Sequence, residues 1–142
     1  MTERRARYQT AAPFEHDHQV TLIQWANMQS GLYPELALLF AIPNGAATRH
    51  IRGKNGKWYS PEGKKLKAEG LKRGVPDLFL PVARQGYHGL FIEMKRPGEK
   101  PRPEQVEWLE ALQAQGYMAT VCDGFEDAMQ AISEYLGIEL YS

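Results

Sequence analysis

Residues 74 to 95 constrain the fold of this chain more than any other stretch. They read Gly74-Val75-Pro76-Asp77-Leu78-Phe79-Leu80-Pro81, then a link containing Gly86 and Gly89, then Leu90-Phe91-Ile92-Glu93-Met94-Lys95. Two short runs of branched and aromatic residues around a glycine-containing link predict a β-hairpin. Pro76 favours extended backbone before it and so places Asp77 at the entrance of the first strand. Side chains alternate along a strand, so Glu93 and Lys95 share one face while Leu90, Ile92 and Met94 take the other. The hairpin therefore brings two carboxylates and an ammonium to one end. Carboxylates with a backbone carbonyl suit Mg²⁺ or Mn²⁺, and a nearby lysine can hold or polarise a water that attacks phosphorus.

A Glu-x-Lys on a strand reads, by itself, as a solvated face. Here the pair ends a strand that is otherwise strongly apolar, and Pro76-Asp77 lies one strand upstream. That is the Pro-Asp…(Asp/Glu)-x-Lys pattern of metal-dependent nucleases. With Gln105-x-x-Trp108, Gly116-Tyr117 and the earlier Pro43-Asn44-Gly45, it resembles the VRR-NUC (virus-type replication-repair nuclease) domain of the PD-(D/E)XK superfamily. The resemblance runs from about Glu15 to Leu136, in the family's order, and is to the small stand-alone phage and prophage type. It implies an α/β fold with a restriction-endonuclease-like mixed sheet flanked by helices. It also implies Asp77 and Glu93 as metal ligands, the Met94 carbonyl as a third donor, and Glu15 as a first-helix acid able to add a further metal contact.

Each candidate has a plainer reading. Lys95 could be a surface lysine; its sharper role is to hold the attacking water and balance charge as the pentacoordinate phosphate forms. Glu15, four residues before Gln19, could be a solvated carboxylate favoured by the helix dipole. Met94 as a side chain reads as core, and Arg96, on the opposite face from Lys95, as a contact to DNA or solvent. Gln105 shares a helical stripe with Trp108, Leu109 and Leu112, so it needs a buried partner. Ordering Lys95 or a metal-bound water would satisfy it, and Gln105 joins Asp77, Glu93 and Lys95 as a catalytic candidate.

The net charge is zero, but its distribution is not even. Residues 49 to 73 hold nine of the 17 Lys and Arg, whereas residues 104 to 142 hold eight acids and neither base. A charge run alone reads as a solvated loop. Beside a metal-nuclease pattern it favours a polyanion on one face, with Lys64, Lys65, Lys67, Lys72, Arg73 and Arg96 as DNA contacts. His16, His18, His50 and His88 have no zinc spacing, and no P-loop or serine-hydrolase motif is present. The single Cys122 cannot form an internal disulfide and reads as a buried, inert thiol.

At 142 residues and 43% hydrophobic, the chain suits one soluble domain. Residues 1–12 read as a flexible N-terminus, and residues 13–142 as the domain, with a basic insert at about 46–73. A helix starts near Pro13 with a stripe of Phe14, His18, Leu22, Trp25 and Ala26. The order that follows is α-β-(basic insert, α)-β-β-α-β-α, with Ala128, Met129, Ile132 and Leu136 as the core stripe of the last helix. The function expected is a cytoplasmic Mg²⁺- or Mn²⁺-dependent endonuclease acting as a homodimer on branched DNA such as four-way junctions. A non-catalytic nucleic-acid-binding module is the alternative, and a small-molecule phosphatase fits the ligands but not the basic segment.

Overall fold

The computed structural model describes residues 11–43 and 51–139. Most of the expected N-terminal segment 1–12, the Asn44 and Gly45 of the anticipated turn, and residues 46–50 of the insert lie outside the described residues. The first helix, α1, spans Ala11–Gln29, so it opens before Pro13 and holds that proline in its first turn, where a missing N–H removes no helical bond. Leu22 and Ala26 are its buried positions. A 3₁₀ turn, Pro34–Leu38, buries Leu36 and leads into β1, Phe40–Ala41.

The insert forms a separate two-stranded ribbon, β2 (Ile51–Arg52) and β3 (Trp58–Tyr59), followed by α2, Pro61–Ala68. Ser60 starts α2 by accepting the Gly63 N–H at 2.9 Å. Next come β4 (Leu78–Leu80), β5 (Leu90–Lys95), α3 (Pro103–Ala114), β6 (Met118–Asp123) and α4 (Phe125–Leu136). The main sheet runs β1-β4-β5-β6. Its first two pairings are antiparallel and β5–β6 is parallel, with α3 as the crossover. This is the expected mixed sheet in the expected order.

Alternation divides the sheet into two faces. Leu78, Leu80, Leu90, Ile92, Met94 and Cys122 join Leu22, Leu36, Ala128 and Ile132 in the main core. The opposite face stacks Phe79 on Phe91 at 4.1 Å, with Tyr117 edge-on to both. Alternation puts Glu93 on this second face, and α3 covers it there with Gln105 and Leu109 buried. Strand β5 is thus enclosed from both sides along its last four residues.

Two details of α4 were not expected. Tyr135 is buried and donates its hydroxyl to the Val82 carbonyl at 2.6 Å, fixing the helix to the end of the hairpin link. His18, expected only as part of the α1 stripe, accepts the Phe125 N–H on Nδ1 at 2.7 Å and so ties α1 to the start of α4. Cys122 is 1% exposed, and burial, then the Asp127 and Asp123 carboxylates, push its thiol up to about 12. No described helix is long and apolar enough to cross a membrane.

Candidate active site

Register places the first two carboxylates. Leu78 pairs with Ile92 in the antiparallel ladder, so Asp77, one residue before β4, comes opposite Glu93 on the same face. The Asp77 Oδ2 accepts the Met94 N–H at 2.8 Å, which anchors it against the neighbouring strand. Gly74 makes the approach possible. It has φ +95°, and a Cβ there would come within 2.7 Å of the Glu104 carbonyl oxygen at the start of α3.

Glu93 is 2% exposed and Lys95 6%, so the plain reading of a solvated Glu-x-Lys face is excluded. The Lys95 ammonium lies 3.8 Å from Glu93 Oε1 and 3.7 Å from Glu99 Oε1. Gln105 is also buried, and its protein partners are Glu93 and Arg102, not Lys95. Its Nε2 donates to Glu93 Oε1 at 2.8 Å, and its Oε1 accepts the Arg102 N–H at 2.8 Å. Gln105 therefore does two jobs: it satisfies an orphan amide at the α3 N-terminus and it aims the Glu93 carboxylate.

The other oxygen of Glu93 decides what the cluster can hold. Oε2 is buried and has no hydrogen-bond partner. The Asp77 carboxylate stands opposite Glu93 across the hairpin, so two acceptors share this side of the site. Burial, then Asp77, pushes the Glu93 carboxyl up to about 8, against the pull of Lys95. Burial likewise raises Asp77, against the Met94 N–H and Lys95. Two buried carboxylates with an unfilled oxygen are a donor set that fits a hard divalent cation.

Glu15 projects from α1 into the same field. Burial, then the Glu99 carboxylate, raises it, while Lys95 lowers it. Among the described residues no three His, Cys, Asp or Glu side chains come together to hold a metal unaided. Glu15 thus borders the cluster without completing a three-side-chain set with Asp77 and Glu93. Glu99 was missed in the sequence because it follows the Pro97-Gly98 break; its place four residues after Lys95 is the available signal. Arg102 was missed too, and its charge lowers both Asp77 and Glu93.

The expected DNA contacts separate into two groups. Lys64, Lys65, Lys67 and Lys72 are exposed on or just after α2. Arg73 is exposed as well, with its guanidinium 3.0 Å from Glu104. Arg96 is half-buried, with its guanidinium 5.6 Å from the centre of the Phe14 ring, so it packs on α1 and is not a free contact. Met94 is 1% exposed and its side chain is core. Trp108 is half-buried and stands outside the main core.

A mixed sheet whose hairpin gathers an Asp, a Glu-x-Lys and a bracing glutamine defines a nuclease-type domain. The VRR-NUC domain matches residues 15–126, and the chain belongs to that family. A solved structure described as a "VRR_NUC domain protein" is similar over 91% of this chain and 93% of that one, at 27% identity and a TM-score of 0.70. No curated protein matches the sequence.

Proposed function

We propose that this domain is a Mg²⁺- or Mn²⁺-dependent DNA endonuclease, cutting by direct attack of water without a covalent enzyme intermediate. The observation that carries the reading is the buried Glu93, its Oε2 without a hydrogen-bond partner, opposite Asp77 and beside a buried Lys95. Asp77, Glu93 and the Met94 carbonyl would hold the cation. When bound, it supplies Lewis-acid polarisation of the phosphoryl oxygen and lowers the pKa of water. Lys95 positions the attacking water and offsets the negative charge that grows on the phosphate as one P–O bond forms and another breaks. Gln105 keeps Glu93 in the orientation this requires. The alternative of a binding module that has lost its chemistry is disfavoured, because the acids and the lysine converge.

The substrate proposed is branched DNA, with four-way junctions the best fit, and the working unit a homodimer. Two-fold symmetry would set two sites on opposed strands. Support for a second copy comes from the segment 28–40, where Met28 is 81% exposed, Leu32 77%, Leu38 50% and Phe40 48%. That segment leads into β1, one of the two edge strands of the main sheet among the described residues. The test is incubation of the purified protein with labelled linear, flapped and four-way DNA, with and without Mn²⁺, beside Asp77→Asn. Metal-dependent cutting that is strongest on the four-way substrate and absent from the variant is expected. Undiminished cutting by Asp77→Asn would sink the site assignment.

A further inference from the structure

The β2–β3 ribbon carries two aromatic residues that the fold does not use. Trp58 is 68% exposed and Tyr59 37%, and neither belongs to the hydrophobic core. They are held firmly. Gly53 N–H bonds the Lys57 carbonyl at 2.9 Å, Gly56 N–H bonds the Gly53 carbonyl at 3.0 Å, and Arg52 pairs with Trp58 across the ribbon. A Cβ at Gly53 would come within 3.1 Å of the Tyr59 ring, so the ring lies close against the bare backbone there. Lys64, from the first turns of α2, places its ammonium 5.3 Å from the centre of the same ring.

Together Gly53, Trp58 and Tyr59, with Lys54, Lys57 and Lys64, line an open hollow of about 500 Å³. That volume lies within the range of pockets that take small organic ligands, roughly 300–1,000 Å³. The exposed Trp58 ring offers a stacking surface, with Tyr59 beneath Lys64 beside it and three lysines among the lining residues, so the complementary ligand is flat, aromatic and anionic. A nucleotide has that chemistry. In a duplex the base faces are covered by their neighbours and only phosphate is presented, so the rings can engage only an unpaired base.

We infer that this hollow binds an unpaired nucleotide of the DNA substrate, with Trp58 as the stacking platform and the lysines on the adjacent phosphates. The inference rests on the DNA-nuclease reading for its choice of polymer, and adds a site that would select substrates with single-stranded character. It lies on the insert, apart from the Asp77–Glu93 cluster.

The experiment is fluorescence anisotropy in EDTA, so that no cutting occurs, with a labelled twelve-nucleotide oligo(dT) and a blunt duplex of equal length as probes. Wild type, Trp58→Ala and Trp58→Phe are compared, with thermal melts to confirm folding. Trp58→Ala should weaken oligo(dT) binding about tenfold or more, within the range of a lost base–aromatic stack, and change duplex binding less than about twofold. Trp58→Phe should retain most of the affinity. Equal weakening on both probes would make Trp58 a support for the ribbon and overturn the site, as would no change on either. Equal loss in both variants would also overturn it. Binding that depends on Trp58 in a protein that never cuts would refute the nuclease reading alone. Cutting without any role for Trp58 in oligo(dT) binding would refute only this site.

Discussion

Replacing Glu93 by glutamine should destroy activity and yet stabilise the metal-free protein. In the wild type, Oε2 of Glu93 is buried without a donor, and the Asp77 carboxylate stands across the hairpin from the same side chain. The introduced amide would keep its oxygen on Gln105 Nε2 and turn an N–H toward Asp77. An unsatisfied buried polar group costs about 1–3 kcal/mol, which the exchange relieves. The proton linkage leads to a similar figure. The Glu93 carboxyl is pushed from 4.5 to about 8. Between those values the folded state binds more protons than the unfolded chain. The stability this group contributes is therefore complete below pH 4.5 and is lost progressively as pH rises to 8. At pH 7 the loss is on the order of 3 kcal/mol, before the weakened Lys95 interaction of the variant is set against it. For a domain of this size that is roughly 10 °C in Tm. Thermal melts in EDTA from pH 5 to 9 should show wild type weakening with rising pH while Glu93→Gln stays flatter and melts higher at pH 7.5. Adding Mn²⁺ should raise the wild-type Tm and leave the variant unmoved. A variant that melts lower than wild type in EDTA, or one that keeps the full Mn²⁺ response, would refute the reasoning.

Lys95→Ala should retain the Mn²⁺-induced Tm shift and DNA affinity but lose on the order of a hundredfold in turnover; binding and turnover falling together would make Lys95 a DNA-binding residue instead. Replacing Lys64, Lys65 and Lys67 together by Ala should flatten the salt dependence of duplex binding, by up to about 0.9 in log–log slope for each phosphate no longer neutralised, with turnover at saturating DNA little changed. An unchanged slope would mean that α2 faces solvent in the complex. Ser133, whose hydroxyl is buried without a partner, should give a more stable protein as Ser133→Ala, by roughly 0.5–1 kcal/mol in urea melts, since the change removes a desolvated group and improves helix propensity.

What could be read from the sequence follows the range of the interactions. The hairpin, its register and the end at which Asp77, Glu93 and Lys95 meet are local: strand alternation and a glycine-containing link determine them within some twenty residues. The burial of the Glu93 face is not local. Period-two alternation says which residues share a face, and nothing in residues 90 to 95 says that α3 will cover it. The same gap explains Gln105. Its place on an apolar stripe shows that it needs a partner, but the partner depends on how α3 is rotated over β5, a tertiary quantity carried by Leu109 and by the close approach of Gly74 to Glu104. The surroundings of Arg73 and Arg96 were not legible for a related reason: charge counting treats every cation alike, while the folded protein sets one beside Glu104 and the other over Phe14. Among the expected DNA-binding residues, Lys64, Lys65, Lys67, Lys72 and Arg73 are exposed, on α2 or in the segment just after it. These cations share one stretch of chain, residues 51 to 73, with the exposed Trp58, so charge and a stacking ring are carried by the same insert.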